Sequence, residues 1–182
     1  MTVANWENVF DSGSVVYELE STGKLRAIRE LVHRAQVFRR IEGLDPTDFA
    51  ETVIERERVQ STGLGHGVAV AHGRTPHVAH SKIALGVSWS GIEYDSLDGA
   101  PVHLLFIVAN HPEQQTDYLQ VLSHLVTLLR DDQFRGELFG CMSPDELQTK
   151  LSTAFYRRAR QQQLKQLSSE EEAERSSAAV NG

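Results

Sequence analysis

One long apolar segment, residues 102–109 (VHLLFIVA), limits the possible folds more than any other feature of this chain. Shorter strand-like runs occur at residues 14–19, 68–71 and 83–89. A continuous apolar run is typical of a strand that is buried on both faces, because a solvent-exposed face would add alternating polar residues. Such a strand needs a layer of packed structure on each side of its sheet.

Those covering layers are predicted to be helical. Helical spacing of apolar residues and helix start signals predict four helices, at residues 23–38, 45–58, 119–129 and 143–160. Asp45 precedes a proline and is a good helix cap. Ser143 and Glu146 have the spacing of a capping box. The sequence therefore predicts an α+β fold, a three-layer α/β/α sandwich with a central mixed β-sheet.

Length and composition suit one domain with a tail. Of the 182 residues, 40% are hydrophobic, which is enough for a substantial core. Residues 161–182 (QQQLKQLSSEEEAERSSAAVNG) are polar, with hardly any apolar anchor. We therefore expect a domain over residues 1–160, followed by a tail that is disordered or a frayed helix.

Charge and cysteine content exclude several functions. The formal net charge of −7 argues against nucleic acid as a partner, because binding phosphates needs clustered Lys and Arg. Cys141 is the single cysteine, so no internal disulfide can form. The first residues are too polar for a signal peptide, and no apolar run approaches the roughly 18–20 residues that span a bilayer. We expect a cytoplasmic protein without membrane insertion.

Residues 61–80 (STGLGHGVAVAHGRTPHVAH) hold four of the eight histidines and four glycines. Four interpretations are open: a metal site, a phosphate cradle, a reactive histidine, or a loop that happens to be rich in histidine. The four histidines are separated by six, five and three residues, with no cysteine or carboxylate among them. Zinc sites have tighter and richer spacing, so we predict no metal.

His72 has the setting of a reactive histidine. It follows a predicted strand that ends at Ala71, and Gly73 beside it lets other groups approach closely. Upstream hydroxyls and turn-forming N–H groups, from residues 61–65, can form a concavity that accepts an anion. Arg56 adds a planar guanidinium suited to phosphoryl oxygens. A neutral imidazole with such groups around it suits phosphoryl transfer.

The run from Arg56 to Arg74 (RERVQSTGLGHGVAVAHGR) resembles a family pattern, RE-x-x-x-STG-(I/L)-G-x-G-(I/V)-A-(I/V)-P-HG. The pattern belongs to enzyme IIA domains of the fructose/mannitol/nitrogen-regulatory class of the bacterial phosphoenolpyruvate-dependent phosphotransferase system. The resemblance extends loosely over residues 14–155. It implies a mixed sheet between helices and a phosphotransferase that accepts a phosphoryl group on His72 from the carrier protein HPr.

The same resemblance implies roles for other residues and for partners. Arg56 would hold the phosphoryl group, with Ser61 and Thr62 in support and with backbone N–H groups near Gly65, Gly67 and Gly73. The donor would be phospho-HPr or a nitrogen-branch paralogue, and the acceptor a IIB component or a regulatory target protein. No cofactor is implied. A free-standing chain with an STGLG element looks more like the nitrogen-regulatory branch than like a sugar-specific one.

Three positions depart from the family pattern. Ala71 replaces a proline, and His66 stands where relatives often carry Asn or Glu. Tyr118 replaces a second histidine that supports the phosphorylated one in relatives. His124 lies about 240° around the helix from Tyr118, so His111 is the nearer substitute, while a phenol can also donate a hydrogen bond. A regulatory interaction module that keeps the fold without relaying phosphate is therefore the alternative hypothesis.

Overall fold

The computed structural model describes residues 8–180. The described elements are, in chain order, β1 (Val15–Val16), α1 (Lys24–Arg34), α2 (Gln36–Arg39), α3 (Pro46–Val59), β2 (Gly63–Gly65), β3 (Val68–Arg74), β4 (Lys82–Ile92), β5 (Val102–Asn110), α4 (Gln115–Leu129), α5 (Asp132–Phe139) and α6 (Pro144–Val180). Residues 1–7, which begin the predicted domain, and residues 181–182, which end the predicted tail, lie outside the described part.

The strands form one five-stranded mixed sheet in the order β1-β4-β5-β3-β2. Strand β5 pairs in parallel with β3 and antiparallel with β4. Strand β1 is parallel to β4, and β2 is antiparallel to β3. Residues 104–109 of β5 are completely buried. The predicted doubly buried strand is therefore confirmed, and it occupies the centre of the sheet.

Helices cover both faces of the sheet, as predicted. Helices α1, α2 and α3 pack on the face that carries Ala69, Ala71, Leu105 and Ile107. Helices α4, α5 and α6 pack on the face that carries Val68, Val70, Leu104, Phe106 and Val108. Alternate residues of each strand thus enter two separate cores. The three-layer α/β/α sandwich with a central mixed sheet is confirmed.

Two helix starts agree with the predicted caps. The Asp45 carboxylate accepts hydrogen bonds from the N–H groups of Thr47 (2.8 Å) and Asp48 (3.0 Å). The Ser143 hydroxyl accepts one from the Glu146 N–H at 3.2 Å. The segment 23–38 is not one helix, because Ala35 has an extended backbone (φ −67°, ψ 113°) that separates α1 from α2.

Other differences arise from pairing and packing. Strand β3 does not end at Ala71 but continues to Arg74, because β5 stays in register beside it up to Asn110. Strand β2 and helix α5 were not predicted, although Asp131 caps α5 by accepting from the Phe134 N–H. Helix α6 continues to Val180, through most of the segment expected to be frayed or disordered. The division at residue 160 stays a prediction. None of the helices described is long and apolar enough to cross a membrane.

Candidate functional site

His72 lies within β3, three residues before the open loop that follows the strand. Side chains alternate along a strand, so His72 shares a sheet face with Val70 and Arg74. This is the face covered by α4. The His72 and Tyr118 rings lie against each other, with centroids 4.9 Å apart and planes at 40°. Tyr118 thus forms the α4 side of the half-buried pocket around His72.

The start of α4 is tied to the sheet next to this contact. The Asp117 carboxylate accepts hydrogen bonds from the hydroxyl (2.8 Å) and the N–H (3.2 Å) of buried Ser81, just before β4. Because Asp117 precedes Tyr118, these bonds fix where the phenol ring enters the site. Neither Ser81 nor Asp117 was singled out from the sequence, since their pairing joins segments 36 residues apart.

Charged neighbours set the ionisation of His72. Burial lowers the pKa of its imidazole to about 4, and the nearby guanidinium groups of Arg56 and Arg74 add to this shift. The imidazole is therefore neutral near pH 7, which is the form that has a free lone pair for nucleophilic attack. Burial raises the pKa of the Tyr118 phenol, while the same two arginines act in the opposite direction. Two cations thus lie close to both rings.

Arg74 is a site residue that the sequence analysis missed. The signal was available, because residues two apart on a strand share a face and β3 carries both His72 and Arg74. The prediction that the strand ends at Ala71 hid it. Asn110, paired with Arg74 across the β3–β5 register, was also missed. Its side chain is 3% exposed, and its buried Oδ1 has no hydrogen-bond partner in the structure.

Arg56 lies in the last turn of α3, and its guanidinium donates to the Gln60 carbonyl at 3.3 Å. Buried Glu57, beside it, accepts hydrogen bonds from the N–H and the hydroxyl of Thr62. The Ser61 hydroxyl donates to the Tyr94 carbonyl at 3.2 Å. The Ser61 and Thr62 hydroxyls therefore hold the turn that follows Arg56. Their expected role as supports of a phosphoryl group stays a prediction.

Gly73 serves packing rather than anion binding. A Cβ built on it would lie 2.7 Å from Val53 Cγ2 and 2.8 Å from Phe49 Cε2, so β3 rests directly on α3 here. The Leu104 N–H donates to the Gly67 carbonyl, and the Thr75 N–H donates to the Asn110 carbonyl. Because backbone groups alternate in direction along a strand, the odd-numbered residues of β3 form their hydrogen bonds with β5. The Gly73 N–H therefore faces β5. The expectation that it binds the transferred group stays a prediction, which this orientation does not favour.

The outer edge of β3 offers different backbone donors. The even-numbered residues face this edge, and the Val70 N–H donates to the Thr62 carbonyl at 3.1 Å. Strand β2 ends its pairing there, and the described residues place no strand beside His72 and Arg74. The N–H groups of His72 and Arg74 therefore point to an open edge that adjoins the arginine side chains.

Gly65, His66 and Gly67 form the hairpin turn at the other end of β3, all with positive φ. Gly65 pairs with Val68, about 13 Å along the strand from His72. The turn does cradle an anion, but that anion is the Asp98 carboxylate, which accepts from the His66 N–H at 2.7 Å. The structure thus does not bring these three residues to His72, and their expected role in a phosphoryl cradle stays a prediction.

His111 lies in the loop after β5, where its Nδ1 accepts from the Glu113 N–H at 3.1 Å. No hydrogen bond or ring contact joins His111 to His72 among the described residues. His124 is buried between α4 and α6, where its ring centroid lies 5.8 Å from that of Phe155. Of the three candidates for the place of the second histidine, Tyr118 contacts His72. Within residues 8–180, no group of three or more His, Cys, Asp or Glu side chains could hold a metal ion.

The fold and this pocket define a class: an α/β/α domain with a neutral, half-buried histidine near two arginines, able to receive an anionic group. The family model described as "Phosphoenolpyruvate-dependent sugar phosphotransferase system, EIIA 2" matches residues 8–154. The chain therefore belongs to this family, and as an EIIA component it is a phosphocarrier domain of the phosphotransferase system.

Individual relatives agree with that membership. The fructose-specific EIIABC component of Bacillus subtilis is 34% identical over 134 residues, which are 74% of this chain and 21% of that protein. The chain thus spans about a fifth of that relative's length. The crystal structure of IIA-Ntr from Neisseria meningitidis superposes with a TM-score of 0.72 and 29% identity, covering 79% of this chain and 96% of that one. The Escherichia coli complex of mannitol IIA with phosphorylated IIB contains a chain of the same fold. It superposes with a TM-score of 0.63 and 20% identity, covering 79% of this chain and 96% of that one.

Proposed function

We propose that His72 is the phosphorylated residue of this EIIA domain. One ring nitrogen attacks the phosphorus of a donor phosphohistidine. The N–P bond to the donor breaks as the N–P bond to His72 forms, so no cofactor is needed. The observation that carries this proposal is the neutral, half-buried imidazole that lies against the Tyr118 ring, with the charges of Arg56 and Arg74 acting on it.

The surrounding groups favour a phosphoryl group over other ligands. Arg56 and Arg74 supply positive charge and several N–H donors for the three phosphoryl oxygens. The N–H groups of His72 and Arg74 face the same open edge of β3. The Tyr118 hydroxyl can donate one further hydrogen bond. Ser61 and Thr62 contribute indirectly, because their hydrogen bonds fix the turn that carries Arg56.

The donor in this proposal is a phospho-HPr-type carrier or its nitrogen-branch paralogue, and the acceptor is a IIB component or a regulatory target. The likeness to IIA-Ntr of Neisseria meningitidis supports a regulatory output. Phosphorylation adds roughly −1.5 to −2 charges at one patch, which changes partner binding. The identity to the fructose-specific component supports a sugar-specific role as the alternative branch. The cytoplasmic location stays a prediction.

A second candidate is an interaction module that accepts no phosphate. Tyr118 favours it, because its ring covers His72 where the family pattern places a supporting histidine. In that case partners bind with the same affinity whether or not phospho-HPr is present, and His72→Ala leaves that binding unchanged.

The test is incubation of the full chain with phosphoenolpyruvate, enzyme I and HPr, followed by intact mass measurement. The expected result is a gain of one acid-labile phosphate in the wild type and none in His72→Ala. His66→Ala is the matched control and keeps the phosphate. If HPr is demonstrably phosphorylated and the chain gains nothing, relay chemistry is wrong and the interaction module is the better account. The Tyr118→His variant then measures how much the absence of the second histidine changes phosphate uptake.

A further inference from the structure

Helix α6 leaves the folded body long before it ends. Its last buried side chain among those described is Ala159, at 3% exposure. The helix continues to Val180, which extends it by about 30 Å. Leu164 and Leu167 on this extension are 58% and 51% exposed. An isolated polar helix of this length is marginal in water, and over residues 160–170 the described side chains are not buried, so this part lacks the packing that stabilises most helices.

The exposed leucines belong to a regular stripe. Arg157, Arg160, Leu164 and Leu167 are separated by three, four and three residues, which is the a/d spacing of a coiled coil. At 100° per residue, the stripe lies on the side of α6 opposite its buried residues Leu151, Phe155 and Ala159. All four side chains of the stripe are exposed. The same spacing continues in the sequence to glutamates at positions 171 and 174.

We propose that this stripe pairs with the same stripe of a second copy, with the two α6 helices antiparallel. In antiparallel coiled coils an a position faces a d position of the partner. Setting Leu164 opposite the partner's Leu167 also sets Arg160 opposite the partner's Glu171. It further sets Arg157 opposite the partner's Glu174. Every layer is then apolar on apolar or cation on anion, and the twofold axis repeats each one.

The orientation follows from charge. A parallel pair would set each arginine opposite the same arginine of the partner, and each glutamate opposite a glutamate. Like charges at facing positions are destabilising, so the pattern disfavours the parallel arrangement. A membrane surface suits only the basic half of the extension, because the acidic half would be repelled by anionic lipid headgroups. A second copy is the partner that places an opposite charge against both the basic and the acidic half of the extension.

The test is sedimentation velocity of the full chain over a concentration series. The wild type is expected to dimerise reversibly. Arg157→Glu with Arg160→Glu, and separately Glu171→Arg with Glu174→Arg, should each weaken dimerisation on the order of thirtyfold or more, because four opposite-charge contacts become repulsive. An equimolar mixture of the two variants should form a heterodimer. Lys165→Glu lies off the stripe and is the matched control, which should leave dimerisation unchanged.

A cysteine experiment tests the orientation independently. In the antiparallel pair Arg157→Cys should form a disulfide with Glu174→Cys when the two variants are mixed. It should not do so with itself, because the two copies of position 157 are about 25 Å apart along the helix axis. Cys141 is buried in both proteins and provides a common background.

Each outcome decides the proposal. A wild type that stays monomeric throughout the series overturns it, as does a dimer that survives both charge reversals or a mixture that fails to associate. Self-linking of Arg157→Cys overturns the antiparallel orientation. Thermal unfolding of each variant checks that the globular body, which lies before the extension, remains folded. Restored association in the mixture excludes misfolding as the cause of the loss.

Discussion

A histidine next to glycine lies near each end of strand β3, and the two ends differ in how they meet an anion. At its start, Gly65-His66-Gly67 forms a turn whose backbone N–H already binds the Asp98 carboxylate. That hydrogen bond is the main reason why the pKa of Asp98 is lowered. Near its end, His72 lies beside two arginines with no carboxylate bonded to it in the structure. One end is an occupied anion cradle, and the other is cationic and open to an anion.

The difference teaches that residue type alone does not identify a phosphoryl site. Glycines with positive φ shape the hairpin turn, whose His66 N–H is a donor, but a carboxylate of the same chain occupies it. At His72 the donors are side chains and an unpaired strand edge. Which end accepts a ligand is decided by the charge that the fold brings there, and that charge comes from α3 and from β3 itself.

The largest expected effect separates the two histidines. His72→Ala should abolish covalent phosphate uptake, because the nucleophile is gone, whereas His66→Ala should retain uptake within about twofold of the wild type. The measurement is the rate of mass gain with excess phospho-HPr. Phosphate on His66, found by peptide mapping, would reverse the assignment of the two ends.

The arginines should come next. Arg56→Ala should slow uptake on the order of a hundredfold, because it removes a partly buried charge-assisted donor. Arg74→Ala should slow it about tenfold, because its exposed guanidinium is more strongly screened by water. Arg58→Ala, an exposed arginine on the same helix, is the control and should have no effect. Equal rates for Arg56→Ala and Arg58→Ala would remove Arg56 from the site.

Much of this contrast could be predicted from sequence, and the rest depended on pairing. The continuous apolar run predicted the central strand, and the motif around His72 predicted the family, while the reactive role of His72 stays a prediction. The end of β3 could not be placed, because β3 reaches Arg74 only through its register with β5. The hairpin could not be recognised as occupied, because Asp98 is 32 residues from His66 in sequence. Local patterns carry no information on such long-range partners.

Glycine substitutions should sharpen the comparison through stability. Gly73→Ala should lower the free energy of unfolding by about 1–3 kcal/mol, because its Cβ would overlap the Val53 side chain against α3. Gly67→Ala should cost about 1 kcal/mol for another reason, its φ of +75°. Urea unfolding measures both, with Gly23→Ala as a control in open space. Phosphate uptake should fall only in Gly73→Ala, and a fall in Gly67→Ala would mean that the hairpin end matters to the chemistry.

The smallest expected effect concerns the ionisation of His72. Its pKa of about 4 in the folded state lies below the ordinary value of 6.5, chiefly because of burial. Arg74→Ala should raise this pKa, because one of two neighbouring cations is lost, but the pKa should stay below 6.5, because burial remains. An NMR titration of the imidazole measures both proteins. A midpoint in Arg74→Ala at or below that of the wild type would show that Arg74 does not act on this end of the strand.

The same shift has a consequence for stability with a definite sign. Between pH 6.5 and about 4 the unfolded chain binds a proton at His72 that the folded protein does not. This contribution to stability is therefore fully present above pH 6.5 and is lost as the pH falls through about 4. His72→Gln has no such proton, so its stability should fall less than that of the wild type over this range. Urea unfolding at pH 7.5 and pH 4.5 compares them. An equal fall in both proteins would mean that the pKa of His72 is not lowered in the folded state, so that burial and the two arginines do not act on it.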